Sequence, residues 1–179
     1  MKGIVFNLLE EAVTAEFGDA TWDRLLDDAG LDGAYTSLGS YDDAEVVRLV
    51  EVASNALQIP PQDVLRWFGR RAMPLLHARY PSFFASHAST RSFLLTLNSL
   101  IHPEVRKLYP GATPPVFDFD TGERDTLVIG YNSARRLCAL AEGFMQGAAE
   151  HYRETAHIEQ SECMHDGAGK CVFHVRFQP

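Results

Sequence analysis

The chain has 179 residues, 46% of them apolar, and a formal net charge of −8. That size and composition fit one domain with a substantial core, and the acidic balance argues against a nucleic-acid binder, which needs clustered Lys and Arg against phosphates. No apolar run reaches about 18 residues, so no membrane insertion is expected. Glu10 and Glu11 come too early for a secretory signal, and an odd count of three cysteines points to reduced thiols in a cytoplasmic protein.

Residues 4–17 are predicted as an amphipathic helix with Val5, Leu8, Leu9, Ala12, Val13 and Phe17 on one face, stopped by Gly18. A second helix runs from about Thr21 to Ala29, with Trp22, Leu25 and Leu26 inward, and 31–40 form a loop. Ser40 is expected to cap a third helix whose stripe is Val46, Val47, Val50, Ala53 and Leu57. Pro60-Pro61 restarts the chain into a fourth helix, kinked at Pro74 and ending near Arg79. After a helical turn at 82–85, a fifth helix from about Thr90 carries Phe93, Leu94, Leu97, Leu100 and Ile101 and reaches His102.

Beyond Pro115 the period changes to two. Val116–Asp120 reads as a strand, Thr121-Gly122 as a turn and Thr126–Tyr131 as the returning strand. A helix over about Ala134–Tyr152 follows, then a second hairpin from 157–163 and 171–177, with Phe173, Val175 and Phe177 facing one way. The expected architecture is α+β in one domain, 1–179. A helical N-terminal part (about 1–60) packs on a C-terminal part (61–179) that holds an antiparallel sheet and one long helix.

There is no phosphate-binding loop, no His-Glu-x-x-His and no nucleophile elbow. His102 followed by Pro103 is the densest local chemistry; taken alone it suits a helix-end or core histidine better than a metal ligand. Tyr131, Ser133 and Arg135 alternate where a strand turns into a helix. Their phenol, hydroxyl and guanidinium can converge as a carboxylate cradle, or Ser133 can simply cap the next helix. A metal-binding histidine and a carboxylate clamp together suit an iron porphyrin with two propionates.

The opening Met-Lys-Gly-Ile-Val-Phe-Asn, the segment from His102 to Gly111-Ala112-Thr113-Pro114-Pro115, and Tyr131-x-Ser133-x-Arg135 resemble the H-NOX family over the whole chain. These are haem nitric oxide/oxygen binding domains related to the haem domain of soluble guanylate cyclase. The resemblance implies haem b buried between the two parts and His102 as axial iron ligand. It places Tyr131, Ser133 and Arg135 on the propionates, Pro115 against the porphyrin, and Val5 and Leu9 on the distal side. Pro103, directly after the ligand, is a departure from the family pattern that alters the local hydrogen bonding.

In this family a distal tyrosine accompanies oxygen binding, and Leu140 stands at the equivalent spacing. The other expected distal residues, Val5, Leu9, Ala72, Leu76 and Phe144, are apolar, a pocket that favours nitric oxide and carbon monoxide over oxygen. The resemblance implies signalling without turnover. Nitric oxide weakens the His102–iron bond, the two parts shift, and a separate partner responds, a histidine kinase or a cyclic-di-GMP enzyme. An oxygen-binding haem protein or a haem enzyme is the competing reading, and a domain without cofactor is the third. Cys138, Cys163 and Cys171 could meet if the last hairpin packs on the long helix. Some similar proteins bind zinc there with a histidine as fourth ligand, but Gln160 occupies that place here, which leaves His157, His165 or three unligated thiols.

Overall fold

The structure, a computed structural model, describes residues 1–122 and 126–178. Four helices open the chain: α1 (Gly3–Phe17), α2 (Asp19–Ala29), α3 (Asp43–Leu57) and α4 (Pro61–Arg79). Gly18, at φ 86°, ends α1 and leads directly into α2, and Gly30 closes α2 in the left-handed region that a side chain would resist. Phe6, Leu8, Leu9, Trp22, Val46, Leu49 and Phe68 from these helices form one packed cluster.

The predicted helices need two adjustments. Phe17 is 47% exposed, and so is much of Val47 and Leu57, whereas Leu49 is buried. The N-cap of α3 is Asp42, whose Oδ1 accepts the Ala44 N–H at 2.9 Å, while Ser40 is occupied in a bridge to Lys2. Two residues farther along, the carboxylate reaches the free amides of the first turn and Ser40 cannot. α4 runs through Pro74 as one helix.

After the short helices α5 (Ser82–Ala85) and α6 (Thr90–Leu94), the predicted fifth helix breaks up. A π-helical turn at Leu97–Ile101 precedes α7 (His102–Leu108). The extra residue per turn changes the phase, so Leu97 lines the interior while Leu100 is 43% exposed.

The strands β1 (Val116–Asp120), β2 (Thr126–Asn132), β3 (Thr155–Glu162) and β4 (Cys171–Gln178) form one antiparallel sheet in the order β1-β2-β4-β3. At the predicted turn, Asp120 Oδ1 accepts the Gly122 N–H at 2.9 Å, and the rest of that connection lies outside the described residues. Phe117, Tyr131 and Cys171 pair across β1, β2 and β4, so one buried row crosses the sheet. On β4, Phe173 and Val175 are fully buried, as period two requires.

Helix α8 (Cys138–His151) covers this sheet and starts four residues later than predicted, because Arg136 takes a left-handed φ of 52°. α8 meets α4 at backbone distance. A β-carbon on Gly143 would stand 2.2 Å from the Arg66 carbonyl oxygen, and one on Gly69 would stand 2.4 Å from that of Leu140. The glycines therefore set how closely the two helices approach, and with that the position of Leu140 and Phe144. Among the described residues no helix is long and apolar enough to cross a membrane.

Candidate functional site

A cavity of about 320 Å³ lies where α1, α4, α7, α8 and the β1–β2 end of the sheet come together. His102 forms part of its wall and is 9% exposed. The π-turn sets its position: Thr96 O accepts from both Leu100 N at 2.8 Å and Ile101 N at 3.1 Å, and the His102 N–H bonds to Leu97 O, five residues back. Pro103 then falls in the first turn of α7, where its fixed φ fits and its missing N–H costs little. The turn is also tied to the sheet. Asn98 Nδ2 donates to the Phe117 carbonyl, and Asn98 Oδ1 accepts the Phe117 N–H at 3.2 Å. The His102 and Phe117 rings lie 5.8 Å apart.

Burial lowers the His102 pKa to about 4, and the Arg106 guanidinium pushes the same way. The Pro115 carbonyl opposes the shift only weakly, since no hydrogen bond to Nδ1 meets ordinary distance and angle limits and that nitrogen is buried without a partner. The imidazole is thus neutral at physiological pH, with a lone pair available to a metal.

Tyr131, Ser133 and Arg135 all border the cavity, and the intervening Asn132 and Ala134 are exposed, so the period-two reading holds for this segment. Burial raises the Tyr131 pKa, partly offset by bonds to Ser133 and to the Leu137 N–H, which its phenol oxygen accepts at 3.1 Å. Ser133 Oγ accepts the Arg135 N–H at 3.3 Å and caps no helix. The guanidinium already has partners: Nε donates to Asp43 Oδ1 at 2.9 Å and an Nη to the Thr113 carbonyl at 2.7 Å.

Val5, Leu76, Leu140, Phe144 and Pro115 line the cavity. Leu9 and Ala72 do not; they are buried in the cluster of the first four helices, and Ile4 and Leu8 take the wall positions on α1. With Leu8 and Leu9 both apolar, periodicity could not tell which faced the cavity. Sequence reasoning also passed over Tyr80 and Tyr109, which line the cavity with their hydroxyls bonded to each other.

Beyond Tyr131, the thiols of Cys138, Cys163 and Cys171 lie within 4.8 Å of one another. Burial and the neighbouring thiols push Cys138 up to about 12, and burial raises Cys171 as well. Among the described residues no histidine or carboxylate joins the three sulfurs as a fourth ligand. His165 Nε2 is 2.8 Å from the Arg136 carbonyl, His157 pairs with Gln178, and Gln160 donates to the Glu162 carbonyl.

The family described as Haem-NO-binding matches residues 2–160. An H-NOX protein from Shewanella oneidensis in the Fe(II)NO state is 34% identical, with both chains covered in full and a TM-score of 0.94. The IWP-051-bound H-NOX from Shewanella woodyi in the Fe(II)CO state is 33% identical over 98% of this chain and 94% of that one, with a TM-score of 0.83. An unliganded Fe(II) H-NOX protein from K. algicida is 27% identical over 100% and 97%, with a TM-score of 0.88. The chain whose buried histidine faces this apolar cavity therefore belongs to the haem-NO-binding, or H-NOX, family.

Proposed function

We propose that the chain is a haem-based sensor that binds nitric oxide and carbon monoxide and disfavours dioxygen, with no turnover of its own. The observation that carries this is His102: a buried, neutral imidazole in the wall of an apolar cavity whose polar edge is Tyr131, Ser133 and Arg135. Ferrous haem b, when bound, would supply an iron that takes a histidine ligand and a diatomic gas. His102 would be that ligand. Tyr131, Ser133 and Arg135 would hold the propionates, for which Arg135 must share or exchange Asp43, and Pro115 would press on the porphyrin.

The wall residues Val5, Leu8, Leu140 and Phe144 carry no hydrogen-bond donor. Dioxygen gains more from a donor than nitric oxide does, so this lining supports the choice of gas. Release of His102 on nitric oxide binding would free α7 and let the parts at about 1–60 and 61–179 shift. A separate histidine kinase or cyclic-di-GMP enzyme in the cytoplasm would read that shift. The three-thiol cluster offers zinc three of the four ligands that a structural site needs.

Exposing the ferrous protein separately to air, carbon monoxide and nitric oxide tests the reading. A Soret band, with complexes of the last two gases only, is expected. An oxy complex stable in air would overturn the gas assignment in favour of an oxygen-binding haem protein or haem enzyme, and no Soret band would overturn the haem. His102→Gly should lose the iron–histidine signature; unchanged ferrous spectra would reject the ligand.

A further inference from the structure

Helix α7 is lightly held. It has seven residues, too few to be stable by themselves, and His102 is its only buried residue. Leu108 is 43% exposed, and Arg106 and Lys107 face solvent. The Glu104–Lys107 ion pair lies within the helix and anchors it to nothing else. Among the described residues, one side-chain hydrogen bond joins the stretch His102–Tyr109 to another element: the Tyr109 hydroxyl to that of Tyr80.

Both partners are well placed for this. Tyr109 caps α7, with its N–H on the Val105 carbonyl at 2.8 Å, and is 7% exposed. It follows His102 by seven residues, so the two share a helix face about 10 Å apart along the axis. Val105, between them, also lines the cavity. Tyr80 caps α4, whose Met73 and Leu76 line the cavity too, and its ring stacks on Phe83 at 5.6 Å. Burial and the Tyr80 bond raise the Tyr109 pKa, so the Tyr109 phenol keeps its proton at physiological pH. One residue farther, Lys2 Nζ donates to the Pro110 carbonyl at 3.1 Å, and α7 ends between two attachments.

We propose that the Tyr80–Tyr109 hydroxyl pair is a positioning device that fixes α7 against α4 and thereby strains the bond from His102 to the haem iron. This rests on the haem reading above. A helix held at one end by its backbone turn and at the other by this pair cannot follow the iron freely. With the pair gone, the end of α7 keeps only the Lys2–Pro110 contact beyond it and can move with the iron, so the bond relaxes toward its own optimum. Loss of the pair therefore strengthens the His102–iron bond and slows its release by nitric oxide.

Tyr80→Phe, Tyr109→Phe and the double variant test this, because phenylalanine keeps the ring packing and removes only the bond. In the ferrous haem-loaded protein the iron–histidine stretching band should move to higher frequency in each variant. Release of His102 after nitric oxide mixing should slow about three- to tenfold, the worth of one hydrogen bond. The double variant should match the singles, since either change already breaks the pair. Hydrogen exchange of the apo chain should rise over 105–109 in Tyr80→Phe and stay unchanged in α2. An unmoved or lowered band, or additive effects in the double variant, overturns the proposal while haem binding stands. A wild-type chain with no Soret band sinks the haem reading and this proposal with it, whatever the exchange shows. If Tyr109→Phe does not fold, Tyr80→Phe alone decides.

Discussion

Arg135 Nε and the N-terminal ammonium of Met1 meet on one oxygen, Asp43 Oδ1, at 2.9 and 2.6 Å. That carboxylate ties the segment after β2 to the start of α1 and to the first turn of α3. Its burial would raise the pKa, but the ammonium and Arg135 outweigh that and hold it below the ordinary value. A depressed carboxylate stabilises the fold fully above its unfolded pKa, near 4, and that contribution disappears as pH falls through the folded value. Asp43→Asn should therefore be less stable than the parent at pH 7, with the gap closing at pH 3 and below. Urea unfolding across that range measures it; a gap independent of pH would show that the carboxylate charge contributes nothing.

The contact of Gly143 with the Arg66 carbonyl leads to a prediction of a different kind. An added methyl would stand 2.2 Å from that backbone oxygen, and neither helix can yield locally. Gly143→Ala should destabilise the protein by about 1–3 kcal/mol, the usual cost of overpacking. Because Phe144 is the next residue, the cavity wall should move with it. Gly169→Ala, where a methyl would meet nothing within 4 Å, is the control. Thermal unfolding of the two variants side by side checks it, and equal melting temperatures would contradict the close approach.

These glycines also mark what could be read from sequence. Strand periods were legible because Phe117, Phe173 and Val175 alternate with exposed or half-exposed neighbours, and alternation has one structural meaning. The side chains of Tyr131, Ser133 and Arg135 could be placed for the same reason. In contrast, Gly143 inside a helix looks like a defect until the partner helix is known. The π-turn was hidden because Leu97, Leu100 and Ile101 fit an α-helical stripe equally well; the Asn98 bonds to Phe117, a contact remote in sequence, help fix its shape. Ser40 was chosen as cap on residue type, where Asp42 wins on distance to the free amides.

His102 gives a second pH dependence, in the apo chain. Its folded pKa of about 4 lies below the unfolded value near 6.5. Its neutral form is thus favoured in the fold. The stability it allows is complete above about pH 6.5 and is lost as pH falls toward 4, where the unfolded chain gains a proton that the folded chain resists. The full shift corresponds to about 3 kcal/mol, from 1.36 kcal/mol per unit. His102→Phe, which cannot protonate, should lose less stability than the parent between pH 6.5 and 4. Parallel denaturant titrations of the two apo proteins measure this, and identical slopes would mean that His102 is hydrated in the apo chain.

The thiol cluster makes the last prediction. Cys138 and Cys171 have raised pKa values because burial and the neighbouring thiols disfavour the thiolate, so without a cation the cluster should alkylate slowly at pH 7. A divalent cation reverses this preference by binding thiolates and releasing protons, so zinc uptake should acidify an unbuffered sample and weaken as pH falls. Gln160 pairs with Phe173 on β4, two residues from Cys171 and on the same inner face of the sheet. Gln160→His should then add the missing fourth ligand and slow zinc release to a chelator, while Cys138→Ser should speed it. Metal analysis of the purified protein with a chelator time course for the three forms decides the matter. Protein without zinc that also takes up none when zinc is added would leave two buried thiols and a half-buried one that pack as small apolar groups beside Tyr131 and Phe173.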